Sequence, residues 1–273
     1  MPRSDLGRTF WWDVGRPAGA AVEPLRAVIF DLDGALADIE RDGHRVAFNA
    51  AFAAHGLAIA WTAPEYGRLV RITDERRRIA SALRRRGFGR VSAEIAGHVY
   101  RTKTELFEAS VLGGDVAPRS GLADLVTGLF VAGVSVAVVG NGPRRWVDPL
   151  VRQLIGDGIA ETVVTLDDLT GATPNPDLHG RALWELGLGP ESALAVVGGG
   201  RGFRAAVAAK LATVVVTTGY TADHDYTGAA QVRSGYDGLL ASGCTRLHQR
   251  WCTTKGSTEG AGEAGPIRRA ASR

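Results

Sequence analysis

From residue 26 to about residue 217 the chain alternates short, wholly apolar runs with longer amphipathic stretches. "RAVIF" (26–30), "VSVAVV" (134–139), "ETVVTL" (161–166), "ALAVV" (193–197) and "ATVVVT" (212–217) carry no polar alternation. Runs of this kind read as strands buried on both faces. Between them lie "GLADLVTGLFVAG" (121–133), "RRWVDPLVRQLI" (144–155), "PDLHGRALWELG" (176–187) and "FRAAVAAKL" (203–211), which read as helices. Strand–helix–strand alternation predicts an α/β fold: a doubly wound parallel sheet with right-handed crossovers. After the first strand the alternation stops for about eighty residues. "GHRVAFNAAFAAHGL" (43–57), "SALRRRGFG" (81–89) and "HVYRTKTELFEASVL" (98–112) predict helices. The expected layout is an irregular lead-in over 1–24, a core over 25–38 and 114–240, and a helical insertion over 39–113. Residues 253–273, small, polar and Gly-rich, are expected to be disordered. The insertion belongs over the carboxyl ends of the strands, where sheets of this type bind ligands.

Composition changes this picture little. The 273 residues are 45% hydrophobic and 22% charged, as in ordinary globular proteins. No apolar run reaches the ~18 residues of a membrane span, so no membrane partner is expected. The N-terminal stretch, with its "FWW", lacks the apolar core of a signal peptide. Cys244 and Cys252 lack metal or redox spacing, and the expected location is cytoplasmic. Net charge is +3, and many arginines fall in "DERRRIASALRRRGFGR" (74–90). That run reads as a solvated helix face or an anion-attracting surface. Without interleaved aromatics it does not suggest nucleic-acid binding. Oligomeric state leaves no mark in the sequence.

The candidate chemistry lies in "FDLDGALADIE" (30–40), where Asp31 and Asp33 stand at the end of the first strand. This segment resembles the first motif of the haloacid dehalogenase (HAD) superfamily, and the inserted helices resemble its type-one cap. "RDGHRVAFNAAFAAHGL" (41–57), "KTELF" (103–107), "PRSGLADLV" (118–126) and "GYTADHDYTGA" (219–229) resemble the CbbY-like branch, near β-phosphoglucomutase. The resemblance spans about residues 26–235. It implies Asp31 as a nucleophile toward phosphorus and Asp33 as the acid/base. It implies Mg²⁺ held by Asp31 and the Asp33 backbone carbonyl, and a small phosphorylated metabolite or other anion as ligand. It makes Glu40, His44 and Arg45 candidates for substrate contact; Asn141, after Gly140, is a candidate hydrogen-bond donor, and Arg76 a candidate stand-in for a family lysine.

The helper positions of that family are altered here. Ala35 stands where the first motif has Thr, and Gly140 where the second has Ser or Thr. Thr173, in "TPNPD" (173–177), takes the place of the lysine. Val197 and Gly198 take the places of the acidic pair that holds the metal. The family segment "TGGKER" is "TDERRR" (73–78), which puts Asp74 and Glu75 in place of two glycines. Arg144, Arg145 and Arg201 are the arginines placed to compensate. Two catalytic acids without counter-charges imply a phosphatase relative whose phosphoryl transfer is strongly impaired or lost. The competing expectations are an active Mg²⁺-dependent phosphatase with atypical helpers and a non-catalytic anion- or partner-binding protein. Metal-free carbon–halogen cleavage through Asp31 is a further alternative, and the presence of Asp33 argues against it.

Overall fold

The structure is a computed structural model; it describes residues 22–169 and 177–262, with side chains to residue 254. The expected parallel sheet is present. Six strands, β1 (Ala27–Asp31), β2 (Ser135–Gly140), β3 (Ala160–Thr165), β4 (Ala193–Val197), β5 (Ala212–Val216) and β6 (Gln231–Arg233), lie in the order β3-β2-β1-β4-β5-β6. Every pairing is parallel.

The two-residue period of a strand sends alternate side chains to opposite faces. Val28 and Phe30 enter one apolar cluster with α5 (Leu122–Val131), α6 (Arg144–Ile155) and α9 (Ala241–Gly262). Ala27 and Ile29 enter the other, against α7 (Leu178–Leu186) and α8 (Gly200–Ala208). Burial on both faces explains why β1, β2, β4 and β5 read as apolar runs.

The chain between β1 and β2 builds a third cluster of its own. It starts with a π-helix, Ile39–His44, and continues as α1 (Arg45–Ala54), α2 (Ala63–Leu69), α3 (Glu75–Arg85) and α4 (Ser92–Gly113). Phe48, Phe52, Trp61 and Tyr66 form its aromatic centre, closed by Ile79, Leu83 and Val99. α2 begins at a capping box, in which Thr62 and Glu65 satisfy each other's backbone amides.

Two elements depart from the sequence reading. The edge strand β6 is only three residues long, too short to stand out as a pattern. The backbone of residues 253–262, expected to be disordered, continues α9 as helix despite three glycines. Among the described residues no helix is long and apolar enough to cross a membrane. The "FWW" segment and Thr173 lie outside the described residues.

Candidate active site

Strand β1 lies where the order of connection reverses, with β2 on one side and β4 on the other. Its last residue is therefore at the crevice such sheets use for ligands. Asp31 pairs in register with Val139, and the turn after it places Asp33 beside Ala37 through an isolated bridge. A cavity of about 480 Å³ opens there, between the core and the inserted helices. Asp31, Asp33, Glu40, His44 and Asn141 all line it.

Asp33 is exposed to the cavity on one side. The protein packed round the rest of it, then the charges of Glu40 and Asp38, and last Asp31, push its carboxyl up to about 8 against a hydrogen bond from the Glu40 amide. That direction favours the proton a general acid must carry. Asp31 is more enclosed, its side chain 18% exposed, with Oδ1 lying 3.4 Å from His179 Nε2. A Cβ on Gly202 would stand 1.7 Å from Asp31 Oδ2. Glycine at 202 is what lets α8 approach this carboxylate.

His179 is 2% exposed, and neither ring nitrogen has a hydrogen-bond partner among the described residues. Nothing in its sequence context marked it, because it lacks a spacing to other ligating residues. A helical reading of α7 does place it two residues after the N-cap Asp177, which holds the Gly180 amide at 2.7 Å.

The inserted side of the cavity is a chain of paired charges. Arg78 donates to Tyr66 Oη at 2.8 Å, and Tyr66 donates to Glu40 Oε2 at 2.5 Å. Arg78 also reaches Glu40 Oε2 at 3.4 Å and the carbonyls of Ile72 and Val70. Lys103 Nζ donates to both Glu75 oxygens and to His44 Nδ1. Burial, then the charges of Lys103 and Arg78, hold His44 well below its ordinary 6.5, so it is neutral and accepts from the lysine.

This arrangement sets a pH dependence. The unfolded chain takes up a proton at His44 near 6.5, whereas the folded chain does so only at lower pH. Below 6.5 the unfolded state therefore binds more protons, and stability falls as pH drops, by up to about 1.4 kcal/mol per unit from this group. Asp33, its carboxyl raised, acts in the opposite sense over the same window, so the His44 part is read as a difference: between pH 7 and 5 urea unfolding of His44→Gln should lose less stability on acidification than the wild type does. An unchanged slope in the variant would contradict the assignment.

Two expected contacts sit elsewhere. Arg45 turns to the carbonyls of Arg41 and Trp61 and does not line the cavity. Arg76 stacks over Tyr100, 4.8 Å from the ring centroid, in an adjoining cleft. The buried arginine of that helix is Arg78, two residues on. Arg144 is tied to Asp148 and Asp168, and Arg145 to Glu108, so neither is free to meet a phosphate. Arg201 does line the cavity, together with Arg204.

The described helper positions are closed by packing. Ala35 is fully buried. A Cβ at Gly140 would meet Val147 at 3.1 Å and Leu32 at 3.3 Å. Val197 belongs to the apolar cluster under α8. At Gly198 a Cβ would lie 2.3 Å from Gly34 Cα and 2.6 Å from the Asp33 carbonyl oxygen. Gly34, at φ +79°, turns its backbone into that contact. The residues present therefore do not fit a Mg²⁺ cage: no acid stands at 197 or 198 to join the Asp31 carboxylate, and the backbone of residues 33–34 lies where a side chain at 198 would start. Among the described residues no group of three or more His, Cys, Asp or Glu side chains could hold a metal.

The fold and acid pair define a class. The haloacid dehalogenase-like hydrolase family model matches residues 25–210, and the chain belongs to that family. Within it, the chain falls in the CbbY-like branch. It is 34% identical to Protein CbbY of Cereibacter sphaeroides over 215 residues, covering 78% of this chain and 93% of that protein. It is 32% identical to the CBBY-like protein of Arabidopsis thaliana over 216 residues, 76% of this chain and 67% of that one. Among solved structures it resembles CbbY from Rhodobacter sphaeroides in complex with phosphate, at TM-score 0.64 and 32% identity, covering 81% of this chain and 99% of that one. A mutant of that CbbY in complex with xylulose-(1,5)bisphosphate matches at TM-score 0.64 and 31% identity, with the same coverage.

Proposed function

We propose that this protein binds a small phosphorylated sugar beside Asp31 and Asp33, and that its phosphoryl transfer is strongly slowed or lost. The binding half is supported by the cavity, by Arg201 and Arg204 along its wall, and by the phosphate and xylulose-(1,5)bisphosphate complexes of related CbbY structures. The impairment half rests on one observation, the Gly198 backbone packed against Gly34 and the Asp33 carbonyl. A carboxylate approaching a phosphate dianion needs compensating positive charge, which a bound metal supplies in such reactions. No side chain at 198 can extend here to hold one.

A second reading, slow hydrolysis, is favoured by the raised carboxyl of Asp33. Asp31 would attack phosphorus, the P–O bond to the sugar would break, and the Asp33 proton would pass to the departing alkoxide. Water would then release phosphate from the aspartyl phosphate and restore both acids.

Calorimetry with sugar monophosphates, alongside phosphate-release assays with and without Mg²⁺, tests both halves. Binding is expected without turnover above that of Asp31→Asn. Robust Mg²⁺-dependent turnover, lost in Asp31→Asn, would overturn the impaired reading. Failure of every phosphate ester to bind would overturn the ligand class.

A further inference from the structure

Among the described residues, five carboxylates line the main cavity. Three of them have a cation of their own: Glu40 has Arg78, Glu75 has Lys103 and Asp38 has Arg41. Asp31 and Asp33 have no arginine or lysine partner among the described residues. Against these two stand three arginines that line the same cavity, Arg71, Arg201 and Arg204. None of the three makes an ion pair or hydrogen bond among the described residues.

A run of contacts joins the three. Arg71 follows α2, whose Gly67 seats the Tyr220 ring so closely that a Cβ there would be 2.7 Å away. The next residue, Thr221, donates to the Gly198 carbonyl at 2.8 Å, and its methyl would be 2.8 Å from a Cβ on Gly199. Gly199 is the N-cap of α8, and Arg201 and Arg204 lie in the first turns of that helix. A Cβ on Gly200 would stand 3.3 Å from Arg204 Nη1, so this guanidinium lies back along the helix start. No side chain caps that start, and its open amides add to the preference for an anion.

We propose that Arg71, Arg201 and Arg204 seat the phosphate of the ligand at the start of α8 without a metal ion, so that binding is independent of Mg²⁺. The proposal rests on the phosphate-ester reading above and adds to it how the ligand's charge is met. No acid stands at 197 or 198 to hold a cation, and guanidinium groups stay charged and match phosphate oxygens in pairs. They balance the charge of the phosphate but do not bridge it to the Asp31 carboxylate. Binding and slow transfer are therefore compatible.

The test is calorimetry with inorganic phosphate and with xylulose 5-phosphate, each in EDTA and in millimolar Mg²⁺. The wild type is expected to bind equally well under both conditions. Arg71→Gln, Arg201→Gln and Arg204→Gln should each weaken binding about tenfold, as the loss of a charge-assisted contact implies. Arg84→Gln removes the same charge from an exposed position outside the cavity and should bind as the wild type does. The three cavity arginines are themselves exposed, so their replacement should leave the fold intact, and the wild-type comparison needs no variant. Binding that appears only with Mg²⁺ overturns the proposal and leaves the phosphate-ester reading standing. Cavity variants that bind like the wild type, or no more weakly than Arg84→Gln, do the same. Failure of both probes to bind under either condition removes that reading, and this proposal with it.

Discussion

Arg78→Met is expected to lower the free energy of unfolding by about 3–5 kcal/mol, the range for removing one member of a buried ion pair. Arg78 is 3% exposed and holds four acceptors: Glu40, Tyr66 Oη and the carbonyls of Ile72 and Val70. Methionine fills a similar volume but satisfies none of them. The Glu40 side chain is 22% exposed, so water can reach it and the loss should fall toward the lower bound. Glu40→Gln in the same chain should recover part of it by removing the stranded charge. Urea unfolding of both single variants and the double variant measures the coupling. A loss under about 1 kcal/mol for Arg78→Met, the size typical of a surface pair, would refute this account.

Gly198→Asp is the second large effect, and it opposes a simple expectation. Restoring an acid at this position should not restore a metal site. The new Cβ would begin 2.3 Å from Gly34 Cα and 2.6 Å from the Asp33 carbonyl oxygen, contacts made by backbone that cannot swing aside. Forced overpacking of this kind costs about 1–3 kcal/mol, occasionally more. The added carboxylate would also join Asp31 and Asp33 in one crevice. The melting temperature should fall, and calorimetry should detect no tight Mg²⁺ binding. A stable variant that binds Mg²⁺ at micromolar concentration would show that the 33–34 backbone yields, and would remove the main support for impaired transfer.

Much of the core was legible because its strands are buried on both faces. "ALAVV" and "ATVVVT" admit few other readings, and "RRWVDPLVRQLI" matches α6 from end to end. The place of the Asp31–Asp33 pair at the end of the first strand was equally plain, and both line the cavity. The inserted side of the site was harder to read. In "DERRRIASALRRRGFGR" the arginines look alike, yet only Arg78 is buried, on the face shared with Ile79, Ala82 and Leu83. Helical phase was the available signal, and charge density obscured it. Glu75 stood out as an acid in place of a glycine; its partner Lys103 is 28 residues distant and cannot be paired from sequence. His179 and the Gly198–Gly34 contact depend on how β4 and the loop after β1 approach in space, which no local pattern encodes.

The aromatic contacts flanking the site bear on how the insertion is held. On one side Phe107 of α4 meets Trp146 of α6 edge to face at 5.2 Å, and Arg145 grips Glu108 nearby. On the other, Tyr66 lies 6.1 Å from Tyr220, and the Tyr220 ring seats against Gly67 so closely that a Cβ there would be 2.7 Å away. The insertion is thus pinned at two opposite margins, like a lid with two clasps. Swinging the insertion about either margin would require releasing the other, so the two contacts together fix its angle over the sheet.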